Sequence, residues 1–244
     1  MGFNELDRYK AGHQDWIYVA SSVIDIFKVI MLAYYKIAPD VHIDHSLTSD
    51  RSIMEMLLNS KVEFAITPTP INDPGIRSIP LYEEEIFAVV GPDHPLAGLR
   101  EATLDELRNY PLICNSCDSD MQFMERLFKT DYRNLNIIGS SNESHIPAKF
   151  TTSNFAVGFI PGRIAVRHLR DVQDQIVLRL PELPKQTTSI STKYSHQLSP
   201  SAEKLYRFVL DFCAKESREV RCYLDNYYAV GESKSEAGEP VPSA

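Results

Sequence analysis

The chain has 244 residues, a formal net charge of −8, 43% hydrophobic residues and 24% charged residues. That is the balance of an ordinary soluble globular protein with room for one large domain or two lobes of about 100 residues each. The acidic excess, with no cluster of Lys and Arg, excludes a chain that grips nucleic acid by itself, because phosphate binding needs a basic patch. No run approaches the ~18 apolar residues of a membrane span, and residues 1–15 contain no apolar signal core, so a cytoplasmic location with no membrane partner is expected.

Residues 1–14 are polar and read as the end of a linker. Trp16–Ala20 predicts a first strand, and Ser22 with Asp25 three residues on predicts a capped helix start. Val23, Ile26, Phe27, Ile30, Met31 and Tyr34 then give the i, i+3, i+4, i+7 stripe of a packed helix. Val41–Leu47 is a second strand, and Thr48-Ser49-Asp50 leads into a helix bearing Ile53, Met56 and Leu57. Val62–Thr67 is a third strand. Strands alternating with helices imply a parallel sheet, because parallel neighbours need a crossover. Ile76–Val90 is extended chain, ending in a continuous apolar run, Ile86–Val90, of the kind buried on both faces. Gly91-Pro92 and Pro95 break it.

The second half repeats the pattern. Thr103 and Glu106 form a capping box for a short helix. Pro111–Cys114 enters a strand, Ser119 starts a helix with Met121, Met124, Leu127 and Phe128 inward, and Leu135–Gly139 is a strand. A helix is expected between Ser144 and Thr152, then a strand at Val157–Ile160 and a helix carrying Val166 and Leu169. Ile176–Leu180 and Thr188–Tyr194 are extended. Ser199-Pro200, an N-cap followed by Pro at the first helical position, opens a last helix with Leu205, Phe208, Val209 and Phe212 on one face, extending to about Tyr228. From Gly231 the Ser, Glu, Gly and Pro composition predicts disorder.

Several stretches in this order resemble the effector-binding portion of LysR-type transcriptional regulators. They are Lys36-Ile-Ala-Pro-Asp-Val41, Val62-Glu-Phe-Ala-Ile66, Gly91-Pro-Asp-His-Pro-Leu-Ala97, Leu104–Pro111 and Val157-Gly-Phe-Ile-Pro161. The resemblance is spread over most of the chain, from about Trp16 to Phe212. Asn154 and Ala156 stand where the family commonly has glycines, and Asn tolerates the left-handed backbone such a turn uses. The resemblance implies an α/β fold of two Rossmann-like lobes joined by two crossing strands, of the periplasmic-binding-protein type II kind. Lobe I would be 15–87 and 188–213 and lobe II 88–187, with a C-terminal helical extension at 214–230 and a disordered tail at 231–244.

On that resemblance the chain is expected to be a non-enzymatic ligand sensor. A small, anionic metabolite would bind in the interlobe cleft, shift the population of lobe angles, and so control paired DNA-binding heads. Those heads would be N-terminal winged helix-turn-helix domains, absent here, through which alone DNA would be a partner. The other partner would be a second copy, in a homodimer or homotetramer, with the helices at Val23–Tyr34 and Met121–Phe128 contributing to an isologous interface.

The candidate ligand-binding residues lie at strand–helix turns, which offer hydroxyls and free backbone donors to an anion. They are Ser21 and Ser22, and Thr48 and Ser49, in the first half, and Asn115 and Ser116 in the second, while Thr67, which ends the third strand, is a further candidate to line the cleft. The plainer reading of Ser22 is a helix cap. Cys114-Asn-Ser-Cys117 raises redox sensing as an alternative, against structural thiols beside the pocket. No metal and no cofactor are expected. Zinc would need more ligands than this pair supplies, and the odd spacing of His42 and His45 sends them to opposite faces of a strand. His94 is expected to pack at the entry to lobe II. A solute-binding protein for transport is a further alternative, but one that calls for a signal peptide or lipid-attachment Cys. An enzyme on the same fold calls for a clustered catalytic set that the sequence lacks.

Overall fold

The first strand, β1 (Trp16–Ser21), lies between β2 (His42–Leu47) and β3 (Phe64–Thr67) and is parallel to both. Helices α1 (Ile24–Tyr34) and α2 (Asp50–Leu58) make the crossovers that parallel pairing demands. This computed structural model describes residues 16–115, 124–125, 127–141, 151–152, 154–171 and 174–235. The linker expected at 1–14, Ser116, Cys117, most of the two helices expected at 119–128 and 144–152, and the tail past 235 lie outside the described residues. Contacts divide the chain into two units. Unit 1 is Met1–Glu83 with Gln186–Lys215, and unit 2 is Glu84–Lys185 with Glu216–Ala244.

In unit 1 the sheet is completed by β4 (Ile76–Glu84) and β10 (Gln186–Lys193), the latter antiparallel to β3, in the order β2-β1-β3-β10-β4. Alternation sends Ile17, Val19, Phe64, Ile66 and Ile190 to one face. There they meet Ile26, Phe27 and Ile30 of α1 and Ala202, Leu205 and Val209 of α5 (Pro200–Ser235). Ala20 and Ala65 point the other way, onto Ile53 and Leu57 of α2. Each such Leu, Ile or Phe side chain contributes about 1.5–3 kcal/mol on burial. Glu63 is fully buried, and its carboxylate accepts the Ser199 backbone N–H at 3.0 Å and the Ser199 hydroxyl at 3.1 Å. Ser199 Oγ in turn accepts the Ala202 N–H at 3.3 Å, the cap that Ser199-Pro200 predicts.

In unit 2 every residue of β5 (Ile86–Val90) is buried. The extended chain 76–90 is therefore two strands, with β5 belonging to a different sheet from β4. β5 runs antiparallel to both its neighbours, β8 (Gly158–Pro161) and β9 (Ile176–Arg179). The expected repetition of parallel pairing holds instead for β6 (Leu112–Asn115) and β7 (Ile137–Ser141). The reason is that β8, α4 (Gly162–Asp171) and β9 form their own crossover unit, whose two strands flank β5. The Thr103–Glu106 capping box of α3 (Leu104–Leu107) is present, with Thr103 N–H to Glu106 Oε2 at 2.7 Å and Glu106 N–H to Thr103 Oγ1 at 3.3 Å. Helix α5 runs past Gly231 to Ser235, further than composition predicts.

The break after β5 is held by Asn154. Its φ is +65°, its Oδ1 accepts the Asp93 N–H at 2.9 Å, and its Nδ2 donates to Asp93 Oδ2 at 3.2 Å. A Cβ at Gly91 would lie 2.1 Å from that Oδ1 and 2.6 Å from the Thr151 carbonyl oxygen, whereas one at Gly98 would meet nothing within 4 Å. Gly91→Ala is expected to destabilise the protein by about 1–3 kcal/mol, as overpacking does. Gly98→Ala should lie within about 0.5 kcal/mol of wild type. Urea denaturation of the two variants checks this, and equal midpoints would show that the Asn154 contact carries no constraint.

Candidate functional site

The parallel register of unit 1 sets the carboxyl ends of three strands level. Ser21 pairs with Leu47 on one side and Ile66 on the other. Two further backbone bonds continue the ladder into the turns, Thr48 N–H to Ser21 O at 3.1 Å and Ser22 N–H to Ile66 O at 3.2 Å. Ser21, Ser22, Thr48, Ser49 and Thr67 are thereby brought to one edge of one sheet, where open α/β sheets place their ligands.

Their hydroxyls are differently engaged. Ser21 is fully buried, and its Oγ lies 2.7 Å from His45 Nε2. Ser22 does not cap α1. Its hydroxyl donates to Asp50 Oδ1, in the first turn of α2, and Val23 holds the N-cap position with no side-chain capping bond. The expected Ser22–Asp25 box is overridden by a tertiary partner that local sequence does not reveal. Ser49 does cap α2, accepting the Ser52 N–H at 3.2 Å. Thr67, also fully buried, donates to the Thr69 carbonyl at 2.6 Å and so closes its own turn. The first turn of α1 is thus the end at this edge where backbone donors lack a side-chain acceptor from the N-cap.

His45 joins this group without having been expected there. Its ring stacks on Phe27 with centroids 3.8 Å apart, while His42 stacks on Trp16 at 5.5 Å on the opposite side of β2. The strand parity that separates the two histidines was legible; the seating of one of them under α1 was not. Desolvation lowers the His45 pKa to about 4, against the raising effect of Asp44, so the imidazole is neutral at pH 7. Which partner donates in the Ser21–His45 bond follows the tautomer of that neutral ring.

In unit 2, Asn115 ends β6 in register with Ser141 of β7. Cys114, 5% exposed, packs among Leu112, Val157 and Phe128 in the core. Its candidate redox partner, Cys117, lies outside the described residues. His94 is buried against Tyr110, ring centroids 4.7 Å apart, and its Nδ1 accepts the Leu96 N–H at 3.1 Å, so it packs as the sequence suggests. Among the described residues no group of His, Cys, Asp or Glu could hold a metal ion, and no helix is long and apolar enough to cross a membrane.

The fold has known counterparts. A family model described as the LysR substrate binding domain matches residues 25–214. The HTH-type transcriptional regulator CysB of Haemophilus influenzae is 34% identical over 97 residues, which is 39% of this chain and 28% of that protein. The match therefore spans little more than a quarter of that relative's length. The effector-binding domain of QuiR in complex with shikimate superposes with a TM-score of 0.67 at 20% identity, covering 82% of this chain and 97% of that one. The BenM effector-binding domain with its effector benzoate superposes with a TM-score of 0.68 at 15% identity, covering 82% and 93%.

The seating of His45 has a consequence for pH. An unfolded histidine takes up a proton below about pH 6.5, whereas folded His45 resists protonation down to about pH 4. Its contribution to stability is therefore whole above pH 6.5 and is lost progressively as pH falls from 6.5 to 4. His45→Phe, which keeps a ring on Phe27 but cannot titrate, is expected to show a smaller fall in Tm between pH 7 and pH 4.5 than wild type. An identical fall in both proteins would show that His45 is not held neutral by the fold.

Proposed function

The chain belongs to the LysR substrate-binding-domain family, a family of transcriptional regulators rather than enzymes, and on that premise we propose that it is the sensor of such a regulator, responding to a small anionic metabolite. The observation that carries the anionic reading is the α1 N-terminus. It has no side-chain cap and lies at the sheet edge that also gathers Ser21, Thr48, Ser49 and Thr67. Free first-turn N–H groups and the helix dipole favour negative charge there. The named ligands of QuiR and BenM, shikimate and benzoate, are both carboxylates, which supports the same chemistry.

In this reading Ser21 is the principal hydroxyl contact, with Thr48, Ser49 and Thr67 beside it on unit 1. Ser22 acts indirectly by fixing Asp50. Asn115 and Ser116 are the candidate contacts of unit 2. The effector tunes DNA binding carried out by a winged helix-turn-helix of the complete regulator, in the cytoplasm. Self-association is supported by apolar side chains on the outer face of α1. Val29 and Leu32 are 40% and 63% exposed, and Ile37, just beyond the helix, is 67% exposed, a surface suited to an isologous contact.

Thermal-shift screening against a panel of carboxylates, other anions, neutral metabolites and cations tests the proposal. A ligand at 100 times its Kd should stabilise the fold by about 2.7 kcal/mol. The expected hit is an anion, and Ser21→Ala should weaken it by about 1.5 kcal/mol or more, roughly tenfold in Kd. A hit that is neutral or cationic overturns the anionic reading, and an anion bound equally by Ser21→Ala removes Ser21 from the site.

A further inference from the structure

The family match ends at residue 214, yet α5 continues to Ser235. Val220, Leu224 and Tyr228 follow one another at i, i+4 and i+8, so they share one face of the helix. Leu224 and Tyr228 are only 8% and 5% exposed. They belong to the same cluster as Phe87 and Val89 of β5, Ile160 of β8, Val166 of α4 and Val177 of β9, with Val220 and Tyr223 packed against its edge. The Tyr228 ring stacks on Phe87 at 5.9 Å, and its hydroxyl donates to the Val177 carbonyl at 3.4 Å. The approach is close. A Cβ on Gly162, the first residue of α4, would lie 3.3 Å from Leu224 Cδ1.

Charged side chains of unit 2 flank this apolar seam. The Arg170 guanidinium lies 4.2 Å from the centroid of Tyr223, and that of Arg100 lies 5.2 Å from Tyr227. Arg100 Nη2 also donates to the Tyr227 carbonyl at 2.7 Å, and Arg179 sits 5.6 Å from the Tyr228 ring. Where the segment begins, Arg163, with 7% of its side chain exposed, is ion-paired to Glu216 of α5 and to Glu84 at the end of β4. Aromatic rings placed under guanidinium groups, with their carbonyl and hydroxyl groups also bonded, define one docked position rather than a greasy contact.

We infer that residues 216–228 are a built-in clasp of unit 2, a segment past the end of the family match that finishes the core of that unit. Without it, one side of the β5–β8–β9 sheet and the inner face of α4 would present Phe87, Val89 and Val177 to water, a contiguous apolar patch of the kind soluble domains avoid. The partner that this surface fits is an amphipathic helix bearing Leu and Tyr at i, i+4 spacing, and the chain supplies its own. The clasp acts on β5, the strand whose Gly91 end is pinned by Asn154, so an event at the C-terminal helix reaches the central strand of unit 2 directly. This inference stands on packing and is independent of the effector's identity.

Hydrogen exchange on the whole chain carrying Leu224→Ala with Tyr228→Ala tests it. Backbone amides of β5 and β9 should lose protection by at least tenfold, while those of β1 and β3 in unit 1 stay within about twofold of wild type. Unchanged protection in β5 and β9 overturns the inference, as does an equal loss in both units. Arg100→Met, which removes the outer anchors on Tyr227 and on the Tyr228 ring, 5.5 Å from the Arg100 guanidinium, serves where the double variant does not fold. It should lower protection of β9 by a smaller factor, about threefold, again with β1 and β3 unmoved, and no difference between β9 and β1 would overturn the clasp.

Discussion

The register of β1 between β2 and β3 is the constraint on which the candidate site depends. Parallel strands cannot be joined by a tight turn, so each must hand over to a helix at the same edge of the sheet. Here the handover is level. Ser21 is opposite both Leu47 and Ile66, and the ladder continues through the Thr48 and Ser22 backbone amides. Shifting β1 by one residue would exchange its faces, turning Ile17 and Val19 away from α1 and α5. The burial that fixes the core therefore also fixes which residues stand at the edge.

What those residues can offer is decided by competition for hydrogen bonds. Buried polar groups are almost always paired, and most of the hydroxyls collected here already have partners. Ser49 caps its helix, Thr67 closes its turn, and Ser22 is taken by Asp50. The exception is the first turn of α1, where Val23 supplies no capping oxygen. Ser21 is a special case, because its partner His45 is a neutral ring whose two nitrogens can exchange donor and acceptor roles. If Nε2 carries the proton, the Ser21 proton is released for another acceptor. The chemistry of the edge is thus set by one imidazole as much as by the serines themselves.

The fold was legible in the sequence wherever the signal was local. The apolar run Ile86–Val90, the Thr103–Glu106 box and the Ser199-Pro200 helix start each depend on residues within a few positions of one another. The order of short motifs pointed to the LysR family, which the match over residues 25–214 bears out. Legibility ended where partners are distant. Nothing near Ser22 announces Asp50, and the alternation that placed His45 on the opposite side from His42 could not place it over Phe27. Direction of pairing was likewise hidden, since a strand buried on both faces reads the same in parallel and antiparallel sheets, and β5 is antiparallel on both sides. That the last helix extends to about Tyr228 was expected, but the surface on which its end docks is dispersed over β5, α4 and β9.

Unit 2 shows how local freedom is exchanged for a specific contact. A glycine at position 154 would reach a left-handed φ without strain, whereas asparagine adopts it at a modest cost. Glycine, however, has no side-chain amide to accept the Asp93 N–H or to donate to the Asp93 carboxylate, and each such bond contributes about 1 kcal/mol. Asn154 therefore ties its loop to the turn after β5, and Gly91 is the residue whose missing Cβ leaves space for the tie. The helix segment 216–228 does the corresponding work on the face of the strand, with Tyr228 stacked on Phe87. β5 is consequently held at its end by one segment and on its side by another, far apart in sequence.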